Sequence, residues 1–302
     1  MENENIKFDL TNDYLFKRTF GYKGQEHITK IFLRDLFLEK IKEITLDNNT
    51  ITEKDIMTDK MGIMDIKAVI DENVQCDIEM QVVQQNDIDK RILFYMSNEF
   101  KKTVTSGKRY SDMKKTIAVL ITDFRIKSIE KVPKYASKWN FREENYPEVI
   151  LTDAMEIYII ELPKLTQYAN NTNRERLNLW AKFIKNPGVK IMIDENDDEE
   201  MRETKETIQE AQERYNDVLQ DKHEQDLAEL RLKYILDQNS IRSSGYDDGK
   251  EEGKKEGMKE GIEKKTKEVI INMLNKGMDD RVIIEVTNVS KEKLDEIKNN
   301  NY

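Results

Sequence analysis

The sequence predicts an α/β fold, a mixed sheet flanked by helices and followed by a charged, helical C-terminal extension. Three observations carry this. Residues 62–83 alternate apolar and polar side chains on either side of a turn, with the period of two that a half-buried hairpin requires. Residues 116–122, TIAVLIT, form a continuous apolar run, the pattern of a strand buried on both faces. From about Asp194 the chain shifts to charged, helix-favouring residues with sparse apolar positions.

Taken in order, Thr11-Asn12-Asp13 can cap a short helix carrying Leu15, Phe16 and Phe20, with Lys17 and Arg18 on its other side. A second helix over residues 26–38 places Ile28, Ile31, Phe32, Leu36 and Phe37 on one face. The hairpin follows. A third helix over residues 87–105 sets Ile88, Ile92, Met96, Phe100 and Val104 at i+4 spacing, with Gly107 as its stop. The buried strand comes next, then an ordered excursion over residues 131–147 containing two prolines, Trp139, Phe141 and Tyr146. Residues 155–162 read as a further strand, and residues 174–184 as a helix ended by Asn186-Pro187-Gly188. Helix, hairpin, helix and strand in this order suit helices packed around a mixed sheet.

Within the hairpin, a three-residue loop at Asp71-Glu72-Asn73 makes facing residues sum to 144. Ala68 then meets Cys76, Ile66 meets Ile78 and Met64 meets Met80, while Lys67 meets Asp77 and Asp65 meets Glu79 on the opposite face. A slip of one residue would set apolar against polar throughout, so the pattern selects this register. Facing residues have Cβ atoms about 5 Å apart, and two carboxylates at that distance repel unless a cation or a proton intervenes. Gln81 projects from the same face as Glu79. An oxygen-rich cluster of this kind suits a hard divalent cation, and it equally describes a solvated polar face whose carboxylates happen to oppose. Arg91 and Tyr95, four residues apart on the third helix, can reach toward the acids or a phosphate, or pack together at the surface. Asp77 faces Lys67, which suggests a structural ion pair.

MDIKAVI and CDIEMQ resemble the core of the PD-(D/E)XK nuclease superfamily, specifically its recombination-promoting nuclease / putative transposase family. TNDYLFKRTFG, KRILFYMSNEF with SGKRY, and a glycine-punctuated charged tail from Gly245 to Gly261 extend the resemblance over most of the chain. The resemblance implies a PD-(D/E)XK-like fold and a metal-dependent DNA endonuclease linked to recombination or mobile elements. Its catalytic residues would be Asp65, Glu79 and Gln81, with Gln81 standing where related nucleases carry lysine. Mg²⁺ or Mn²⁺ would be held by Asp65, Glu79 and the main-chain carbonyl of Met80. Candidate substrate contacts are Arg91, Tyr95, Lys67, Lys108 and Arg109, and Asp13 and Asp77 are minor site candidates. Because glutamine adds no positive charge, the rival reading is a nuclease fold with weak or lost catalysis that serves as a nucleic-acid or protein interaction module.

Composition sets further bounds. The chain has 302 residues and a formal net charge of −10, so contact with DNA would depend on a locally basic surface. Lys101, Lys102, Lys108, Arg109, Lys114 and Lys115 form its most basic local stretch. His27 and His223 are isolated, and Cys76 is the single cysteine, which leaves no pattern for a histidine metal site, a triad or an internal disulfide. No apolar run approaches a membrane span and the opening Met-Glu-Asn-Glu-Asn is not a signal peptide, so a cytoplasmic location without membrane partners is expected. The expected organisation is a nuclease-like domain over residues 1–192, a charged helical region over 193–244, a glycine-repeat linker helix over 245–262 and a small helix-turn-helix-like module over 263–302. Glycines recur every fourth residue from Gly245 to Gly261, either as a pliable tether or as a seam for self-association into a homo-oligomer.

Overall fold

A computed structural model describes residues 8–47, 56, 65–84, 87–104, 109–171 and 174–299. The start of the predicted hairpin at residues 62–64, the helix stop at Gly107 and the candidate Lys108 lie outside the described residues.

The order of elements is α1 (Asp13–Phe20), α2 (Glu26–Phe37), β1 (Ile44–Asp47), β2 (Ile66–Ile70), β3 (Val74–Gln81), α3 (Ile88–Lys102), β4 (Lys115–Thr122), β5 (Ala136–Arg142), β6 (Ile150–Glu161), α4 (Glu175–Lys185), α5 (Glu199–Gln220) and α6 (Lys222–Asn275). Two short helices, α7 (Asp280–Thr287) and α8 (Lys291–Asn299), close the chain. The strands form one mixed six-stranded sheet in the order β1-β2-β3-β4-β6-β5. β1, β2 and β3 run antiparallel in turn, β3, β4 and β6 are parallel, and β5 is antiparallel to β6. The fold is therefore the α/β arrangement that the patterning predicts.

The hairpin has the predicted register, with Ala68 facing Cys76 and Ile66 facing Ile78. Its turn is held tightly. Asp71 and Glu72 both adopt positive φ, 46° and 61°, which is costly for residues with a side chain. The carboxylate of Asp71 offsets this by accepting the N–H groups of Lys42 and Glu43 at 3.0 and 2.9 Å, tying the turn to the start of β1.

The two faces of the sheet bury different layers. On one, Ile66, Ala68, Ile78, Met80, Val119, Ile121 and Tyr158 join Phe16, Phe20, Phe32, Trp180 and Phe183 in the main core. On the other, Ala118, Leu120 and Ile159 pack against Ile88, Ile92 and Met96 of α3. β4 lies between two parallel neighbours and is buried from Thr116 onward, which is why its sequence is apolar without alternation. Two strands escape the sequence reading. β1 has only four residues, and β5, within the excursion predicted over residues 131–147, is an edge strand whose mixed polar and aromatic residues are largely exposed.

Contacts divide the chain into Met1–Asn239 and Ser240–Tyr302. The first unit extends past residue 192, because α5 lays Ile208, Ala211, Tyr215 and Val218 into the main core. In the second unit Ile270, Ile283, Leu294 and Ile297 form a small core of their own. Its turns use a positive φ at Gly277 (71°) and Asn288 (54°), and Ser290 caps α8 by accepting the N–H of Lys293 at 3.3 Å. A Cβ added at any glycine from Gly245 to Gly261 would meet nothing within 4 Å. Among the described residues, no helix is long and apolar enough to cross a membrane.

Candidate active site

The candidate site lies on the sheet face covered by α3. There β3 presents Asp77 and Glu79, and β2 presents Lys67 opposite Asp77. Asp65 immediately precedes β2, one step beyond the Ile66–Ile78 pair that ends the ladder, and its charge acts on Asp77. Hydrophobic alternation produces this arrangement directly. Burying Ile66, Ile78 and Met80 in the main core turns the intervening carboxylates to the other side.

α3 then supplies the partners. Arg91 contacts Glu79 at 3.2 Å, and its guanidinium stands 5.3 Å from the centre of the Tyr95 ring. Of the two readings for Arg91 and Tyr95, the structure thus combines both: they stack together and Arg91 reaches the acids. Glu99, one turn further on, accepts from Lys67 and Lys102, each at 2.8 Å. Sequence reasoning missed Glu99, although its spacing of four from Tyr95 and eight from Arg91 puts it on the same helical face.

Lys67 is thereby drawn away from the ion pair expected with Asp77. Asp77 faces it across the ladder, but Lys67 donates to Glu99, and Oδ1 of Asp77 is buried without a hydrogen-bond partner. Asp77, Glu79, Tyr95 and Glu99 line a cavity of about 20 Å³, enough for one occupant the size of a water or a bare cation.

The electrostatics follow from burial. Desolvation pushes Asp65 up to about 6, against the attraction of Lys67, Lys17 and Arg91. Asp77 is raised well above the ordinary carboxylate range, by desolvation first and then by the negative charges of Asp65 and Glu79. Two carboxyls that resist ionisation, with an orphaned oxygen between like charges, form a place where added positive charge is favourable. A divalent cation fits that demand. Among the described residues, no three acidic, histidine or cysteine side chains converge on one point, so a cation here would be held by a smaller protein set completed by main chain and water.

The other predicted residues fall as follows. Gln81 is buried at the end of β3, its amide N–H donating to the carbonyl of Val83 at 3.1 Å. The Met80 side chain points into the main core, which leaves only its main chain for the site. Asp13 makes a buried ion pair with Arg231, at 2.8 and 2.5 Å. Arg109 is exposed and pairs with Asp112 at 3.2 Å. The basic stretch is partly neutralised, since Lys102 meets Glu99, Lys115 meets Glu156 and Lys114 donates to the carbonyl of Glu72. Lys17, assigned to the polar side of α1 by its sequence pattern, is instead only 5% exposed.

Compared with known proteins, the chain matches the model of a family described as PD-(D/E)XK nuclease family transposase over residues 10–245. No curated protein and no solved structure matches it.

Proposed function

Because this chain belongs to the PD-(D/E)XK nuclease family transposases, we propose that it is a metal-dependent DNA endonuclease acting in recombination or in the movement of mobile elements. The observation that carries this reading is the buried carboxyl of Asp65, raised to about 6 just beyond the end of the β2–β3 ladder, with Glu79 the next residue of β3 past the last pair, Ile66–Ile78.

In this reading Asp65, Glu79 and the carbonyl of Met80 would hold Mg²⁺ or Mn²⁺. Such a cation, when bound, lowers the pKa of water and withdraws charge from a phosphoryl oxygen. The protein does the rest. Asp65 is ionised at neutral pH, and its cost of burial is relieved once a cation faces it. Arg91 holds Glu79 in place and, with Tyr95 beneath it, offers a planar donor pair to a phosphate of the backbone. α3 and β4 close the inner side of the acid cluster with Ile92, Met96 and Ala118, keeping bulk water from one side and strengthening the local field. Gln81, with its amide already bonded to Val83, steadies the end of β3 and contributes no charge.

The test is cleavage of supercoiled plasmid with Mg²⁺, with Mn²⁺ and with EDTA. Asp65→Ala and Glu79→Ala are each expected to slow nicking by on the order of 100-fold or more while the protein stays folded. Retention of DNA binding with no cleavage by the unaltered protein under any metal would replace this reading with that of an interaction module, the alternative that the glutamine at position 81 favours.

A further inference from the structure

β5 forms one edge of the sheet and pairs with β6 alone. The main chain shows which groups that pairing leaves over. The N–H of Glu161 donates to the carbonyl of Tyr135 at 2.7 Å, so by alternation Ser137 and Trp139 also turn their main-chain groups to β6. Ala136 and Lys138 therefore turn theirs to the outer side. Beyond Trp139 the register shifts, which ends the straight stretch of edge.

An open edge is commonly guarded by a charged side chain, lysine above all. Lys138 stands in that position but is drawn back over the sheet. Its ammonium lies 3.0 Å from Glu156 and 5.2 Å from the centre of the Tyr158 ring, both on β6. The edge is left open along a cavity of about 830 Å³. Lys131, Lys134, Arg174 and Trp139 line it, and no carboxylate does among the described residues. Lys131 and Lys134 are exposed, and Arg174 commits one donor to the carbonyl of Leu36 at 3.1 Å. In a chain of net charge −10, a basic groove without acids departs from the rest of the surface.

We propose that the free edge of β5 is a docking site for an extended acidic peptide, which adds to the sheet beside Ala136 and Lys138 with its carboxylates against Lys131, Lys134 and Arg174. Charge selects an anion, and the main chain selects its kind. A peptide strand supplies both the carbonyls and the N–H groups that Ala136 and Lys138 require. A phosphate backbone would instead set its negative charge against their outward carbonyls. Because the straight edge is short, few main-chain bonds form and the cations supply the remaining attraction. Successive side chains of an added strand point to opposite faces, so its carboxylates belong at every second position. β4 and β6 separate this edge from β3, and docking there does not depend on the nuclease reading.

The experiment measures fluorescence anisotropy at low salt with three labelled probes: a peptide alternating glutamate and valine, the same peptide with its central valine replaced by proline, and an oligothymidylate. The full chain is compared with Lys131→Glu/Lys134→Glu, Lys138→Val and Lys138→Pro, each checked by thermal melt. Valine keeps the outward N–H at position 138, whereas proline removes it and spares the ladder to β6. The alternating peptide is expected to bind saturably, about tenfold more weakly to Lys131→Glu/Lys134→Glu. Lys138→Pro should bind it about fivefold more weakly than Lys138→Val. If Lys138→Pro does not fold, the proline-interrupted peptide carries the same test from the ligand's side, with a similar loss expected. Absence of saturable peptide binding by the unaltered chain overturns the proposal. Equal affinity for the two peptides, or equal binding by folded Lys138→Pro and Lys138→Val, overturns strand addition. Tighter binding of oligothymidylate than of peptide, lost in Lys131→Glu/Lys134→Glu, would assign the groove to nucleic acid instead.

Discussion

At the scale of single residues, the acid cluster is a conflict that the fold tolerates. The carboxyl of Asp65 sits near 6 rather than 3.8, and Asp77 is also raised well above its ordinary range, in both cases chiefly through loss of water. The folded protein therefore binds protons that the unfolded chain releases between pH 4 and 6, so stability falls as pH rises through that window. A shift of about two units corresponds to at most about 3 kcal/mol for Asp65. Asp65→Asn is expected to raise the melting temperature at pH 8 in EDTA and to make little difference at pH 4, where the carboxyl is already protonated. Mn²⁺ should narrow the gap at pH 8 by stabilising the parent alone. A lower melting temperature for Asp65→Asn at pH 8 would show that the charge is already compensated without metal.

At the scale of elements, α1 is held in place from far along the chain. Its Lys17 is buried, and its first turn is fixed from elsewhere. Asn12 caps the helix, accepting the N–H groups of Tyr14 and Leu15, and donates to the carbonyl of Ala228 at 3.1 Å. Asp13 pairs with Arg231, and Arg18 pairs with Glu224, so the start of α6 clamps α1 through charged contacts. The Asp13–Arg231 pair is nearly excluded from water, which makes removal of one partner much more damaging than removal of both. Arg231→Met is expected to cost about 3–5 kcal/mol in urea unfolding, and Arg231→Met/Asp13→Leu to recover a large part of it. Additive losses in that pair would show that the two groups do not depend on each other. Asp13 is thus better described as a structural anchor of α1 than as a ligand, on the strength of its bonds.

At the scale of the whole molecule, the catalytic proposal requires only the first unit. That unit extends to Asn239 and the family match ends at residue 245, while the short helices beyond form a separate small core. A chain ending at residue 245 is expected to keep the cooperative melt of the first unit and metal-dependent nicking within a few-fold of the full protein. Light scattering on both would show whether the segment beyond 245 brings copies together, one of the two roles, tether or self-association seam, expected of the glycine repeat. Loss of folding in the shortened chain would mean that the two units are not energetically independent.

Much of this was legible in the sequence. Alternation alone fixed the hairpin register, because a half-buried ribbon has one arrangement that sorts apolar from polar, and it put Asp77 and Glu79 on the face opposite the core. The apolar run at β4 declared a strand buried on both sides. The weaker signals were those whose burial is decided by distant chain. β5 pairs only along one edge and keeps polar residues, so it lacks strand periodicity. Lys17 reads as the polar side of an amphipathic helix, yet α1 is enclosed on several sides by α2, α5, α6 and the sheet. Likewise, only the folded chain draws the hydrogen bond of Lys67 to Glu99 and leaves Oδ1 of Asp77 buried without one. Local pattern determines which way a side chain points from its own element, and that was enough to find the acids. Which charge meets which depends on what packs against that element from far along the chain, and only the tertiary structure decided that.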